Sequence, residues 1–194
     1  MNVSACLPNI IIVHSSTEGI INISLPFFSH LPDTDHLIEI AGHMCAVHKG
    51  SHPMGEKLAS EIKDYLMGTR FTFSNFPLYN QGSTDFQKMV WQTLTKIEYG
   101  EKRSYQWLAQ QIGNPKAQRA VGRALNKNPW PIVLPCHRVI GKDGSYKHFS
   151  SGVFWKIFLL KLEEKQYKIN NNLITSQRRE AYKSSYSTSH KSIG

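Results

Sequence analysis

The stretch Ser104-Tyr105-Gln106-Trp107-Leu108-Ala109-Gln110-Gln111-Ile112-Gly113-Asn114-Pro115-Lys116-Ala117-Gln118-Arg119-Ala120-Val121-Gly122-Arg123-Ala124-Leu125 decides the architecture of half this chain. Ser104 is a helix-capping residue, and Tyr105, Leu108, Ala109 and Ile112 recur behind it at helical spacing. Gly113-Asn114-Pro115 is turn chemistry, with Pro115 suited to the first position of the next helix. Ala117, Ala120, Val121, Ala124 and Leu125 then form the inner stripe of that helix. Helix, glycine turn, helix is the helix-turn-helix pattern, which an ordinary packed helical corner shares. The second helix stands out for its small residues, which allow close approach to a groove or a backbone. Arg119 and Arg123 lie four apart, on neighbouring faces of one turn. Lys116 and Lys127 flank them, placed to meet phosphates.

Charge favours a polyanion over a plain corner. The 194 residues carry a net +9, unevenly spread. Residues 1–82 hold 4 basic and 7 acidic residues, 83–163 hold 13 and 5, and 164–194 hold 6 and 2. The positive charge therefore begins near residue 83, and a basic segment on a mildly acidic companion predicts a polyanion-facing half and a supporting half. Hydrophobic residues at 40% and charged residues at 19% are ordinary globular composition. No window reaches the roughly 18–20 unbroken apolar residues of a membrane span. The three cysteines, Cys6, Cys45 and Cys136, are odd in number and far apart, which argues against a disulfide framework and for a reducing, intracellular compartment.

Working outward, Ile10–Val13 and Ile20–Leu25 are β-branched runs around a turn at His14–Gly19 and predict a hairpin. Leu37–Ala41 is a candidate third strand. After a loop at Gly50–Gly55, the residues Met54, Leu58, Ile62, Tyr65 and Leu66 mark a helix that Gly68 ends. Phe71, Phe73 and Phe76 lead through Pro77 to a break at Asn80–Gly82. Beyond it, Thr84 and Gln87 form a capping box for a helix carrying Phe86, Met89, Val90, Leu94 and Ile97, stopped at Gly100. Ile132–Leu134 is predicted as a short buried strand or extended segment, Gly141–Gly144 as a turn, and Val153 to about Gln166 as a last helix. The expected fold is an α/β N-terminal domain over 1–82. A mostly α, winged-helix-like C-terminal domain with the helix-turn-helix follows over 83–167. Residues 168–194 are expected to be a basic, disordered tail.

One cysteine carries a chemical signal. Cys136 follows an apolar run and is followed at once by His137 and Arg138. Cationic or hydrogen-bonding neighbours favour the nucleophilic thiolate. Strand neighbours point to opposite sides, so His137 reaches the thiol only through a turn or a bridging water. Cysteine proteases draw their base from a distant part of the chain, unlike this pair. His43, Cys45 and His48 lack a recognised metal-ligand spacing, and no metal is assigned to them.

Leu134-Pro135-Cys136-His137-Arg138-Val139-Ile140 resembles the active-site signature of the 6-O-methylguanine-DNA methyltransferases, also called methylated-DNA–protein-cysteine methyltransferases. Further stretches agree in order: Phe86-Gln87 with Val90-Trp91, Tyr99-Gly100-Glu101 with Ser104-Tyr105, Asn114 to Gly122, Asn128-Pro129, and Leu159-Leu160 running to Glu163. Residues 1–82 are only loosely similar, in the hairpin and in Tyr65-Leu66-x-Gly68. The resemblance implies a helix-turn-helix in the minor groove of double-stranded DNA and a damaged guanine flipped into a pocket. It makes Cys136 the alkyl acceptor, His137 its base through a water, Glu163 the group orienting His137, and Asn128 the support of the active-site turn. Arg119 matches the residue that fills the vacated base position, and Tyr105 the one that crowds the target phosphate. Ala117, Lys116, Arg123 and Lys127 complete the DNA face. Val139, Phe149, Ser150, Ser151 and Lys147 fall at the substrate pocket, with carbonyls of Cys136 and Val139 facing the base's exocyclic amine. Arg138 is implied to be structural.

The pocket loop departs from the family pattern. Lys147 stands where a small residue is common, Phe149 replaces a tyrosine, and Ser151 replaces a glycine, a strained exchange if that position has positive φ. The implied activity is single-use transfer of an alkyl group from 6-O-alkylguanine, with 4-O-alkylthymine as a second candidate, to Cys136. No cofactor and no membrane are involved, and a monomer is expected. The expected location is intracellular: cytoplasmic in a prokaryote, nuclear in a eukaryote. The alternative is a non-catalytic lesion binder that flags damage. A plain transcription regulator fits less well, since reading the major groove wants longer polar side chains than this helix carries.

Overall fold

The computed structural model describes residues 10–26, 41, 44–79, 81–147 and 149–169. β1 (Ile10–Ser16) and β2 (Gly19–Ser24) form an antiparallel hairpin with Val13 opposite Ile23 and Ser16 opposite Gly19. The strands run further than the β-branched runs suggest: His14–Ser16 are paired, and only Thr17-Glu18 make the turn. β3 (Cys45–Lys49) pairs parallel with β1, giving the order β2-β1-β3. The stretch expected as a strand at Leu37–Ala41 lies outside the described residues except for Ala41, which is helical and buried. Cys45–Lys49 is weakly β-branched, and its strand character comes from pairing with β1.

Helix α1 (Met54–Leu66) lays Leu58, Ile62, Tyr65 and Leu66 into the core, and Gly68 at φ +74° turns the chain away. The segment 71–79 then runs extended and clips onto β2. The Ile20 N–H donates to Pro77 O at 2.7 Å, and the Tyr79 N–H to Ile20 O at 2.9 Å. Gly19 makes this approach possible: its φ is +154°, and a Cβ there would lie 2.3 Å from Pro77 O.

Helix α2 (Asp85–Leu94) starts at the predicted capping box, with the Gln87 N–H on Thr84 Oγ1 and the Thr84 N–H on Gln87 Oε1. It ends well before Gly100, although Ile97 stays buried beyond it. After β4 (Arg103–Ser104), Ser104 caps α3 (Tyr105–Gln111) by accepting from the Trp107 N–H at 3.0 Å. Helix α4 is Gln118–Asn126. Pro115 is not its first residue. The Ala117 N–H closes a turn onto Asn114 O at 2.9 Å, which spends Pro115 and Lys116 on the turn. Val121, Ala124 and Leu125 point inward, and α4 packs on α2 and α3.

Ile132–Leu134 is a turn, not a strand or extended segment. The Leu134 N–H donates back to Trp130 O at 2.9 Å, and Ile132 sits at φ +76°. A short 3-10 turn, Cys136–Arg138, leads into β5 (Val139–Ile140), which pairs parallel with β4. Helix α5 covers 153–169. The expected tail lies outside the described residues from 170 on.

Two tryptophans join the halves. The Trp130 indole N–H donates to Ile20 O at 2.8 Å, and its ring stands edge-on to Trp91 at 5.6 Å. The Trp91 indole N–H reaches Ala124 O at 2.8 Å. The buried core is thereby continuous from β1 to α5.

Candidate active site

The loop between α4 and β5 delivers Cys136. Asn128, buried at 5% exposure, braces it. Its Oδ1 accepts from the Trp130 N–H at 3.1 Å, and its Nδ2 donates to Leu134 O at 2.9 Å and to Cys136 Sγ at 3.1 Å. In the middle of the braced turn, the β-branched Ile132 holds a left-handed backbone conformation, a strain that surrounding packing has to maintain. Burial pushes the Cys136 thiol up to about 11, against smaller opposite effects of Asn128 and Lys156. The resting sulfur is thus a thiol that needs a base before it becomes a nucleophile.

The candidate base expected from the sequence, His137, is next to it in the chain. The 3-10 turn spares Cys136 and His137 the opposed directions of strand neighbours. His137 is fully buried, and its Nε2 lies 2.7 Å from Glu163 Oε1. Burial lowers its pKa against the pull of Glu163, so the ring is neutral at pH 7. With Nε2–H donating to Glu163, Nδ1 is the acceptor, and it has no hydrogen-bond partner among the described residues.

Glu163 is the hub. It accepts from the Tyr65 hydroxyl, from Arg138 Nε at 3.1 Å to both oxygens and Nη2 at 3.0 Å, and from the Gly100 N–H at 3.0 Å. Burial opposes its ionisation, but His137 and then Arg138 overcome that and hold it at about 2. Arg138 also donates to Ile97 O at 2.7 Å, which fits the structural part expected of it.

Lys156, 1% exposed, donates from Nζ to Val139 O at 2.6 Å and lies 3.4 Å from the Tyr105 hydroxyl. Burial lowers it to about 8. Burial, then the proximity of Cys136, raises Tyr105 to about 12. The two carbonyls expected to face a substrate amine are thus both engaged: Val139 O by Lys156, and Cys136 O by the Val139 N–H.

Ser150 and Ser151 line an open cleft of about 380 Å³ with Asn128, Pro129, Pro131 and Asn22–Leu25 of the hairpin; Cys136 and His137 are not among its lining residues. Phe149 is buried beside them. The positive φ of this loop falls on Gly152, at +91°, while Ser151 is not left-handed, so its replacement of a glycine carries no backbone strain. Lys147 is not among the residues of the cleft; it is exposed and reaches Asp143 at 3.5 Å. A larger groove of about 1040 Å³ lies behind Arg138, between 71–78 and Tyr99, and includes neither Cys136 nor His137. On the outer face, Lys116, Arg119, Arg123 and Lys127 are exposed and Ala117 half-buried. The Tyr105 ring lies against α4 at Gly122, where an added Cβ would meet it at an ordinary contact of 3.7 Å. His48 is tied into the fold by Ser15 Oγ at 2.7 Å, and His43 lies outside the described residues.

Comparison with known proteins identifies relatives of this chain. Residues 85–165 match the family model described as 6-O-methylguanine DNA methyltransferase, DNA binding domain. A Methanosarcina mazei methylated-DNA–protein-cysteine methyltransferase is 47% identical over 112 residues, covering 58% of this chain and 70% of that protein. The chain belongs to the methylated-DNA–protein-cysteine methyltransferase family. The Methanosarcina barkeri relative is 50% identical over 106 residues, 55% of this chain and 66% of its own length. A Mycobacterium tuberculosis O6-methylguanine methyltransferase crystal structure superposes with TM-score 0.59 at 34% identity, covering 76% of this chain and 81% of that one. A structure of the M. tuberculosis protein in complex with DNA superposes with TM-score 0.59 at 31% identity, over 84% of this chain and 85% of that one.

Two residues of this family member escaped sequence reasoning. Lys156 interrupts the apolar run Phe154-Trp155-Ile157-Phe158, and a lysine among aromatics was the available signal. Tyr65 stood in a helical stripe and in the loosely similar Tyr65-Leu66-x-Gly68 segment, neither of which points to a contact with Glu163.

Proposed function

We propose that this chain repairs DNA by moving an alkyl group from 6-O-alkylguanine in a duplex to its own Cys136, once per molecule. The observation that carries the reading is a buried Cys136 sulfur, held by Asn128, in one turn with a buried neutral His137 that is paired to the ionised Glu163 and leaves its Nδ1 unpartnered among the described residues. His137 Nδ1 takes the thiol proton through a water, while Glu163 fixes the ring and balances the charge that forms. Sulfur attacks the alkyl carbon in line. The S–C bond forms, the C–O bond breaks, its electron pair goes to guanine, and the proton released by sulfur restores the neutral base. A thioether remains, which is why the protein is consumed.

Access to the base requires that the nucleotide leave the stack. The exposed Arg119 on α4 fills its place, Tyr105 turns the target phosphate, and Lys116, Arg123 and Lys127 neutralise neighbouring phosphates. The small side chains Ala117 and Ala120 allow α4 into a minor groove. Phe149, Ser150 and Ser151 form the pocket wall beside the turn that carries Cys136.

The test is Cys136→Ala on a duplex carrying one 6-O-methylguanine. Transfer is expected to vanish with lesion binding kept. Residual transfer in this variant would overturn the assignment of the acceptor. Lesion-selective binding by the unsubstituted chain without any transfer would instead favour a damage reader.

A further inference from the structure

We propose that Tyr65, contributed by α1 in the N-terminal half, is a positioning residue of the transfer reaction: its hydroxyl holds the Glu163 carboxylate where it keeps His137 in one tautomer. This rests on the reading that His137 is the base for Cys136.

Tyr65 is fully buried, where a phenol is tolerated only if its hydroxyl is satisfied. That hydroxyl donates to Glu163 Oε1, the same oxygen that faces His137 Nε2, and it lies 3.4 Å from Nε2 itself. The ring is clamped by Phe73 at 5.5 Å and, edge-on, by Tyr99 at 5.6 Å. One residue on, Leu66 O accepts from Gln166 Nε2 at 3.0 Å, and Gln166 also accepts from the Tyr99 hydroxyl. Gln166 sits one helical turn beyond Glu163 on α5, so the end of α1 is bolted to the element that carries the carboxylate.

The need for this clamp follows from the other donors. Arg138 presents Nε to both Glu163 oxygens and competes with His137 for Oε1. The Gly100 N–H holds the other oxygen, Oε2, at 3.0 Å, so the Tyr65 hydroxyl is the added donor at Oε1; without it that oxygen is shared by the guanidinium and the imidazole alone, and the imidazole is held less firmly. The charged and titratable groups around Glu163 are Arg138, His137, Tyr65 and Tyr99; those around His137 are Glu163, Arg138 and Lys156, with Cys136 adjacent in the turn. Burial, reinforced by Glu163, keeps the Tyr65 proton in place well above the ordinary phenol range, so it acts as a fixed donor.

The experiment is Tyr65→Phe in the full chain, read three ways: the rate of methyl transfer from a 6-O-methylguanine duplex, the ¹⁵N shifts of His137, and thermal melting. The phenyl ring preserves the packing. Transfer should slow by about tenfold or more, the loss of one hydrogen bond to a charged group. His137 should change from a single Nε2–H tautomer to a mixture, with unmodified-duplex binding unchanged. A folded Y65F with wild-type rate and an unchanged His137 pattern would overturn the proposal, even if its melting temperature fell. The wild-type protein gives a check that needs no variant: a slowly exchanging Tyr65 hydroxyl proton close to the His137 ring, whose absence would equally overturn it. If the wild-type chain transfers nothing, the function reading fails, while the His137 tautomer comparison still decides whether Tyr65 positions the ring.

Discussion

At the scale of single residues, the site is an arrangement of fixed protonation states. Cys136 is held protonated and His137 neutral by burial, whereas at Glu163 the neighbouring His137 and Arg138 overcome burial and keep the carboxylate ionised. Glu163 links that arrangement to stability. Its folded pKa is depressed to about 2 from an ordinary 4.5, so its contribution is fully present above 4.5 and lost as pH falls toward 2. The window corresponds to on the order of 3 kcal/mol. Urea unfolding of the wild-type chain should therefore show stability falling steeply between pH 4.5 and 2.5. Glu163→Gln should be weaker at pH 7, because Arg138 is left buried without its counterion, and should show a flatter acid limb. An unchanged acid slope in E163Q would contradict the assigned ion pair.

At the scale of elements, α4 presents Arg119, Arg123 and Lys127 outward while Val121, Ala124 and Leu125 anchor it to α2 and α3. If Arg119 fills the place of a flipped base, Arg119→Ala should slow transfer from duplex by roughly tenfold or more, since it removes what offsets unstacking. Transfer from a free 6-O-benzylguanine base should change less than about twofold, because no flipping is needed. Equal losses on both substrates, measured as second-order rate constants, would refute the flipping role. Elements set by local chemistry were legible in the sequence: the Thr84–Gln87 capping box, the Ser104 cap, the Gly68 stop and the Gly141–Gly144 turn. Elements set by distant partners were not. Cys45–Lys49 becomes a strand because β1 lies beside it, and Ile132–Leu134 turns because Asn128 and Trp130 fold it back. Likewise Cys136, His137 and Glu163 were readable from a contiguous signature and a matching helix end. Tyr65 and Lys156 act through contacts that no local spacing encodes, Tyr65 with Glu163 across 98 residues of chain.

At the scale of the molecule, the N-terminal half does more than carry its neighbour. It supplies Tyr65 to the hub, Asn22–Leu25 to the wall of the cleft, and Ile20 O to the tryptophan pair that joins the halves. The sequence's charge asymmetry, 4 basic to 7 acidic residues before position 83 and 13 to 5 from there to 163, separates a buttress from the surface proposed to face DNA. The central claim concerns the whole chain as a single-use reagent, and intact-mass and peptide mass spectrometry after incubation with excess 6-O-methylguanine duplex tests it most directly. The account predicts the gain of one methyl group per chain, confined to the peptide bearing Cys136, with no further gain at longer times. Continued turnover, a methyl group on another residue, or no mass gain by a folded, DNA-bound chain would contradict it.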